Sequence, residues 1–191
     1  MKNKFNFLGL ILITFLVSCS TSEEEQIKEE LTTLGSTQIG LIDDQRILDA
    51  ESEPGNWLAH GRTYEERRFS PLTGINKENV SELGLVWSKD MGTNRALEAT
   101  PIVVDGIMFF TSTWSRVYAV DALTGETIWK FDPKVPGEWA RKACCDIVNR
   151  GVAVYNGKVY SASLDGRLFA INAETGELVW EVDTIIDRTR S

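Results

Sequence analysis

Cys144 and Cys145 are neighbours in the chain, and their pairing is the sharpest chemical signal in the 191-residue sequence. In an exported protein two adjacent cysteines are expected to be oxidised. Successive Cα atoms are about 3.8 Å apart, below the usual disulfide span of about 4.4–6.8 Å. A bond between them closes a strained small ring, and strain of that kind gathers at functional sites. Its product is a rigid, polarizable, nearly flat platform. Two buried reduced thiols, or half of a metal site, are the other readings. Metal has little support, because the chain holds one histidine, His60, and its third cysteine is far away at Cys19. One imidazole also excludes any H-E-x-x-H zinc centre. Arg150 offers a forked guanidinium for a carboxylate, unless it serves as a structural bridge to Asp146. Asp146, Asn149 and His60 read as residues that fix loop backbones. With 20 Lys+Arg against 28 Asp+Glu the net charge is −8, which argues against a nucleic-acid partner.

Such residues need a frame, and the sequence supplies it by repetition. The run Ala119-Val120-Asp121-Ala122-Leu123-Thr124-Gly125-Glu126-Thr127-Ile128-Trp129 returns 51 residues later as Ala170-Ile171-Asn172-Ala173-Glu174-Thr175-Gly176-Glu177-Leu178-Val179-Trp180. Upstream, Gly106 matches Gly157, Phe109 matches Tyr160 and Arg116 matches Arg167. Short Val/Ile/Phe/Tyr runs alternate with turn signals at Asp105-Gly106, Asn156-Gly157 and Asp165-Gly166. A period near 50 residues with several short strands per unit predicts propeller blades. A two-sheet sandwich is the competing all-β arrangement, but it does not repeat a motif at fixed offset. Trp129 and Trp180 offer flat area for burial between blades, and Leu83–Trp87 looks like the end of an earlier, degenerate unit. Trp114 and Trp139 read as packing. A short helix capped by Asp43 or Asp44 is expected up to Ala50, closed by Pro54-Gly55. Arg62, Arg67 and Arg68 with Glu65 and Glu66 read as a surface ion-pair patch of small energetic value.

Three segments are expected: 1–19, 20–42 and 43–191. The first has Lys2 and Lys4 ahead of an apolar run, Phe5 to Val17, that suits a signal-peptide core and is short for a membrane span. It ends Leu16-Val17-Ser18-Cys19, which resembles the lipobox of bacterial lipoproteins and implies lipidation of Cys19 and a periplasmic, membrane-anchored protein. The second, with Glu23-Glu24-Glu25, reads as an acidic tether. The third carries the blades.

The repeat motif resembles the tryptophan-docking motif of eight-bladed quinoprotein propellers. Ala143-Cys144-Cys145-Asp146-Ile147-Val148-Asn149-Arg150-Gly151 is similar to the signature of pyrroloquinoline quinone (PQQ)-dependent alcohol dehydrogenases, the methanol and ethanol dehydrogenase family. Asn56–Tyr64, Arg68–Leu72 and Leu97-Glu98-Ala99-Thr100-Pro101 resemble further segments of that family. The resemblance spans roughly 43 to 190. It implies an all-β, partial eight-bladed propeller, read as the N-terminal third of a longer protein, unstable and inactive by itself. It also implies that Glu98, Cys144, Cys145 and Arg150 contact PQQ, with a vicinal Cys144–Cys145 disulfide stacked on one face of the quinone. Glu98 near an anionic cofactor requires a shared carboxyl–carboxylate proton.

A calcium or lanthanide ion, the aspartate base and a second stacking tryptophan are implied beyond residue 191. Haem c is expected only in a C-terminal domain, since the chain has no C-x-x-C-H. The implied reaction oxidises a small primary alcohol to an aldehyde and passes electrons to a cytochrome or quinone acceptor. A cofactor-free lipoprotein scaffold of outer-membrane β-barrel assembly is the alternative, because such scaffolds have similar blades and a similar lipobox.

Overall fold

A computed structural model describes residues 39–187. The expected signal segment 1–19, Cys19, the tether up to residue 38 and residues 188–191 lie outside that range.

Eight short strands form two four-stranded antiparallel meanders. The first sheet is β1 (Ile102–Val104), β2 (Ile107–Thr111), β3 (Val117–Asp121) and β4 (Thr127–Phe131). The second is β5 (Ala153–Tyr155), β6 (Lys158–Ala162), β7 (Arg167–Asn172) and β8 (Leu178–Asp183). The first, second and fourth strands of each sheet start 51 residues apart. The registers repeat too: Ala119 faces Trp129 and Ala170 faces Trp180, with a register shift one residue later in both. The all-β, blade-by-blade reading of the sequence is therefore what the chain adopts.

Turn chemistry explains the punctuation. Asp105 and Gly106 have φ of 54° and 77°, and Asn156 and Gly157 have 45° and 69°. Two consecutive left-handed residues make the hairpin turn whose twist suits the flanking strands. In the blade motif, Asp121 accepts from the backbone N–H groups of Leu123 and Thr124, as Asn172 does from Glu174 and Thr175. That requirement is for a short side-chain acceptor, so Asp and Asn interchange.

The tryptophans join the blades. Trp129 Nε1 donates to Ala173 O at 2.9 Å, and a Cβ on Gly176 would meet its ring at 2.7 Å. Trp87 repeats this one unit earlier, donating to Ala122 O at 3.2 Å with its ring against Gly125. Leu83–Trp87 thus docks as a blade terminus does, although the segment forms no strand among the described residues. Phe131 meets Phe169 edge-on across the blades with centroids 5.3 Å apart. Trp129, Phe109 and Phe169 are buried with Ile102, Val104 and Val117 in one core. Trp180, expected to be buried between blades, stays 40% exposed, because the described residues place no third sheet against it.

Antiparallel pairing sorts the loops onto two edges. Val104, Ile107 and Asp121 share one edge, and Ile102, Thr111, Val117 and Phe131 share the other. The first edge carries the Thr-Gly turns and the N-terminal brace. Helix α1 (Asp44–Leu48) is capped by the Asp43 side chain on Arg46 N–H at 2.7 Å. Arg46 grips Glu53 at 2.8 Å and Asp105 at 2.7 Å. Hydrogen bonding to Arg46 holds the Glu53 carboxyl below the usual carboxylate range. Gly40 O and Ile42 O accept from Gly157 and Asn156, so the packed region already includes Gly40 and Ile42, the last stretch of the expected tether.

Arg62 departs from the expected surface patch. It is 2% exposed, donates to Ala50 O at 3.0 Å and lies 3.2 Å from Glu51. Its φ of 72° turns the side chain inward under the 50–53 turn, which a charge count along the sequence cannot register. Arg67 and Arg68 do form exposed pairs, with Glu51 and Glu66.

Candidate functional site

The second edge collects the chemistry. On it lie the run into β1, the β2–β3 turn, the β6–β7 turn and the long connection from β4 to β5 that contains both cysteines. Thr100 and Gly151 form a parallel bridge between two of these segments, with Thr100 N–H donating to Arg150 O at 3.1 Å. Gly151 has φ of 128°, and a Cβ there would come within 2.8 Å of Thr100 O. The absence of a side chain at Gly151 is what allows the two backbones to meet.

This bridge brings Glu98 to Arg150. Their side chains pair at 3.1 Å, with exposures of 38% and 74%. Arg150 therefore takes Glu98 as its partner rather than Asp146. Asp146 pairs instead with Arg95, in the left-handed conformation at φ 70°. Exposed pairs of this kind contribute little stability, about 0–1 kcal/mol. Their value here is placement of a cation and an anion.

Cys144 and Cys145 are both exposed and are unbonded thiols in this structure. Their sulfurs lie 2.8 Å apart and face each other. The hydrogen bond with Cys144, and then its charge, push the Cys145 thiol up from the ordinary range; Arg150 acts in the opposite sense and Glu98 in the same sense. The four residues singled out in the sequence thus lie on the same blade edge, presenting two polarizable atoms, a cation and a carboxylate on an open surface.

Other predicted residues are elsewhere or play supporting parts. His60 Nε2 contacts Arg68 at 3.0 Å, outside this group. Trp114 is half-buried with φ of 64°, followed by Ser115 at 54°, and its N–H donates to Ile147 O at 3.0 Å. It thereby pins the cysteine loop to the β2–β3 turn. Trp139 lies under the Lys142 ammonium, 4.4 Å from the ring centroid. Sequence reasoning missed Arg95 and Thr111, and named Thr100 only as part of the 97–101 segment. Thr111 was findable, since the repeat marks it as the equivalent of Ala162; nothing local singles out Arg95. Asn149, Arg150 and Gly151 line a cavity of about 520 Å³ together with Ser115, Ala162 and Ser163.

The donor set suits a planar polyacid: sulfur atoms for a face, a guanidinium for a carboxylate and an acid that can share a proton. Among the described residues no three His, Cys, Asp or Glu side chains converge to hold a metal ion.

The chain is similar to known proteins. The sequence pattern of the PQQ family described as "Glucose/ethanol/alcohol dehydrogenase, beta-propeller domain" matches residues 57–190. The chain is 55% identical over 141 residues to the dehydrogenase subunit of the quinone alcohol dehydrogenase of Komagataeibacter europaeus, covering 74% of this chain and 19% of that protein. It superposes on the quinohemoprotein alcohol dehydrogenase ADHIIG of Pseudomonas putida with a TM-score of 0.78 at 53% identity, covering 80% of this chain and 22% of that one. A europium-containing methanol dehydrogenase matches with a TM-score of 0.69 at 36% identity, over 74% of this chain and 25% of that one. The chain thus spans about a fifth to a quarter of the length of these relatives.

Proposed function

The chain belongs to the PQQ-type alcohol dehydrogenase β-propeller family, and from that premise we propose that it is the PQQ-binding N-terminal part of an exported alcohol dehydrogenase. The observation that carries the reading is the Glu98–Arg150 pair, joined by the Thr100–Gly151 bridge, on the same blade edge as the adjacent Cys144 and Cys145 sulfurs.

The residues divide the work. Arg150 would give a forked, charge-assisted pair to a carboxylate of the cofactor, its 74% exposed side chain being free to turn from Glu98 to that acid. Glu98 would share a proton with a cofactor carboxylate, which would remove the clash of like charges. Cys144 and Cys145 form the stacking surface. Oxidation of the two thiols to a disulfide releases two protons and two electrons to a thiol oxidant of the exported compartment. PQQ, when bound, supplies the two-electron acceptor for a primary alcohol. The metal, calcium or a lanthanide, and the base that takes the hydroxyl proton come from residues outside this chain's described part.

Electron transfer to a cytochrome-type or quinone acceptor fits the quinohemoprotein relative. Residues 1–19 direct export, and Cys19 carries the lipid that anchors the protein at the periplasmic face of a membrane. A cofactor-free scaffold would leave the exposed sulfur pair and the exposed guanidinium without a role.

The test uses the complete protein. PQQ with calcium or a lanthanide should confer alcohol-dependent dye reduction, and Cys144→Ala should diminish it. Mass spectrometry of unreduced, exported protein should find it two hydrogens lighter than the dithiol. No PQQ binding, with both sulfurs free, refutes the reading.

A further inference from the structure

The side chain of Asn149 spans the two blades beside Arg150. Its Oδ1 accepts from the Thr111 hydroxyl at 2.9 Å and from Gly151 N–H at 3.0 Å. Its Nδ2 donates to Ala162 O at 2.8 Å. Thr111 ends β2 and Ala162 ends β6, so the two occupy the same place in successive repeats. One carboxamide thus ties the equivalent point of neighbouring sheets and, through Gly151, the backbone that carries Arg150.

Arg150 needs such a device. Its side chain is 74% exposed, so packing does not hold it. Its position comes from its backbone, bonded to Thr100 on one side and flanked by Asn149 and Gly151. Thr111 is 1% exposed, which makes its hydroxyl a fixed anchor rather than a solvated one. The bonds to Thr111 and Gly151 are half-buried and the one to Ala162 is exposed, so it is the buried Thr111 end that gives the clamp its rigidity.

We infer that Asn149 is a positioning residue for the cofactor: by clamping β2 to β6 it sets the backbone of Arg150 at the junction of the blades, and so the fit of the guanidinium to a cofactor carboxylate. This rests on the PQQ reading above. Asn149 touches no reacting atom; it acts through Arg150.

The experiment is a titration of the metal-loaded, full-length apoprotein with PQQ, followed by quenching of tryptophan fluorescence. Thr111→Val removes one arm of the clamp while keeping shape. It should raise the Kd about 2- to 12-fold, the equivalent of one net hydrogen bond. Asn149→Ala should raise it further. Arg150→Gln should raise it about 10- to 150-fold. In the Arg150→Gln background, Thr111→Val should change the Kd less than about twofold, because contacts that act as one unit do not add.

If Thr111→Val changes the Kd equally with and without Arg150, or not at all while Arg150→Gln weakens binding, the clamp is structural and the inference is overturned. If Arg150→Gln leaves PQQ binding unchanged, the cofactor reading itself falls and takes the inference with it. Thr111→Val is a near-isosteric change in a buried site, so its result stands even where Asn149→Ala does not fold.

Discussion

Replacing Trp129 by phenylalanine tests what joins the blades under the site. The indole N–H donates to Ala173 O at 2.9 Å, and Ala173 is 0% exposed. Phenylalanine leaves that carbonyl without its partner and away from water, at a cost of about 1–3 kcal/mol. The smaller ring also gives up contact with Gly176 and with Phe109, whose centroid is 5.9 Å away; two or three lost heavy atoms are worth about 1–2 kcal/mol. The total is about 2–5 kcal/mol. Trp180 is the internal control. It has the same place in the repeat but is 40% exposed, and among the described residues no carbonyl accepts from its N–H. Trp180→Phe should cost under about 1 kcal/mol. In urea unfolding of the 191-residue chain, diluted until it is monomeric and with a slope of about 2 kcal/mol per molar, Trp129→Phe should lower the midpoint by about 1–2.5 M, and Trp180→Phe by under about 0.5 M. Equal shifts would refute the docking argument, since they would mean that ring size matters and blade-to-blade anchorage does not.

Arg95→Ala should leave stability within about 1 kcal/mol, because the Arg95–Asp146 pair is exposed. It should instead slow alkylation of reduced Cys145, because the neighbouring Asp146 carboxylate loses its cation and disfavours the thiolate, and an unchanged rate would remove Arg95 from the site. Stability should fall in acid. Burial pushes Asp165 up, but hydrogen bonds from Arg167 and Ser163 outweigh it and hold the carboxyl below the usual range; the Arg46 hydrogen bond does so for Glu53. Carboxyls with depressed folded-state values contribute stability above their unfolded values, near pH 4, and lose it as pH falls through the folded ones. Unfolding free energy should therefore be level from about pH 7 to 5 and decline below about pH 4. Asp165→Asn should flatten that decline, and an unaltered slope would contradict the assignment. The chain by itself leaves Leu178, Val179, Trp180 and Val182 exposed on β8, so light scattering should show association that grows with concentration; a chain that stays monodisperse as its concentration rises would count against this.

The blade repeat was legible in the sequence because it rests on local rules. Asp121 and Asn172 accept from their own turns, Gly125 and Gly176 take left-handed backbones, and alternating apolar residues fill one layer; each rule leaves a residue type at a set spacing. Cys144, Cys145, Arg150 and Glu98 could be nominated for the same reason, by type and motif. Tertiary structure alone decided the partners. Arg150 pairs with Glu98 and not with nearby Asp146, because the Thr100–Gly151 bridge joins segments about 50 residues apart. Arg62, one of a run of charges in the sequence, is buried because of its left-handed backbone and the turn above it. Asn149 looked like an ordinary loop residue until β2 and β6 ended on either side of it. A residue's type and local spacing determine which conformation and which bonds it can support; which distant group completes them depends on how the sheets stack, and that is set by tryptophans docking on glycines in the next repeat.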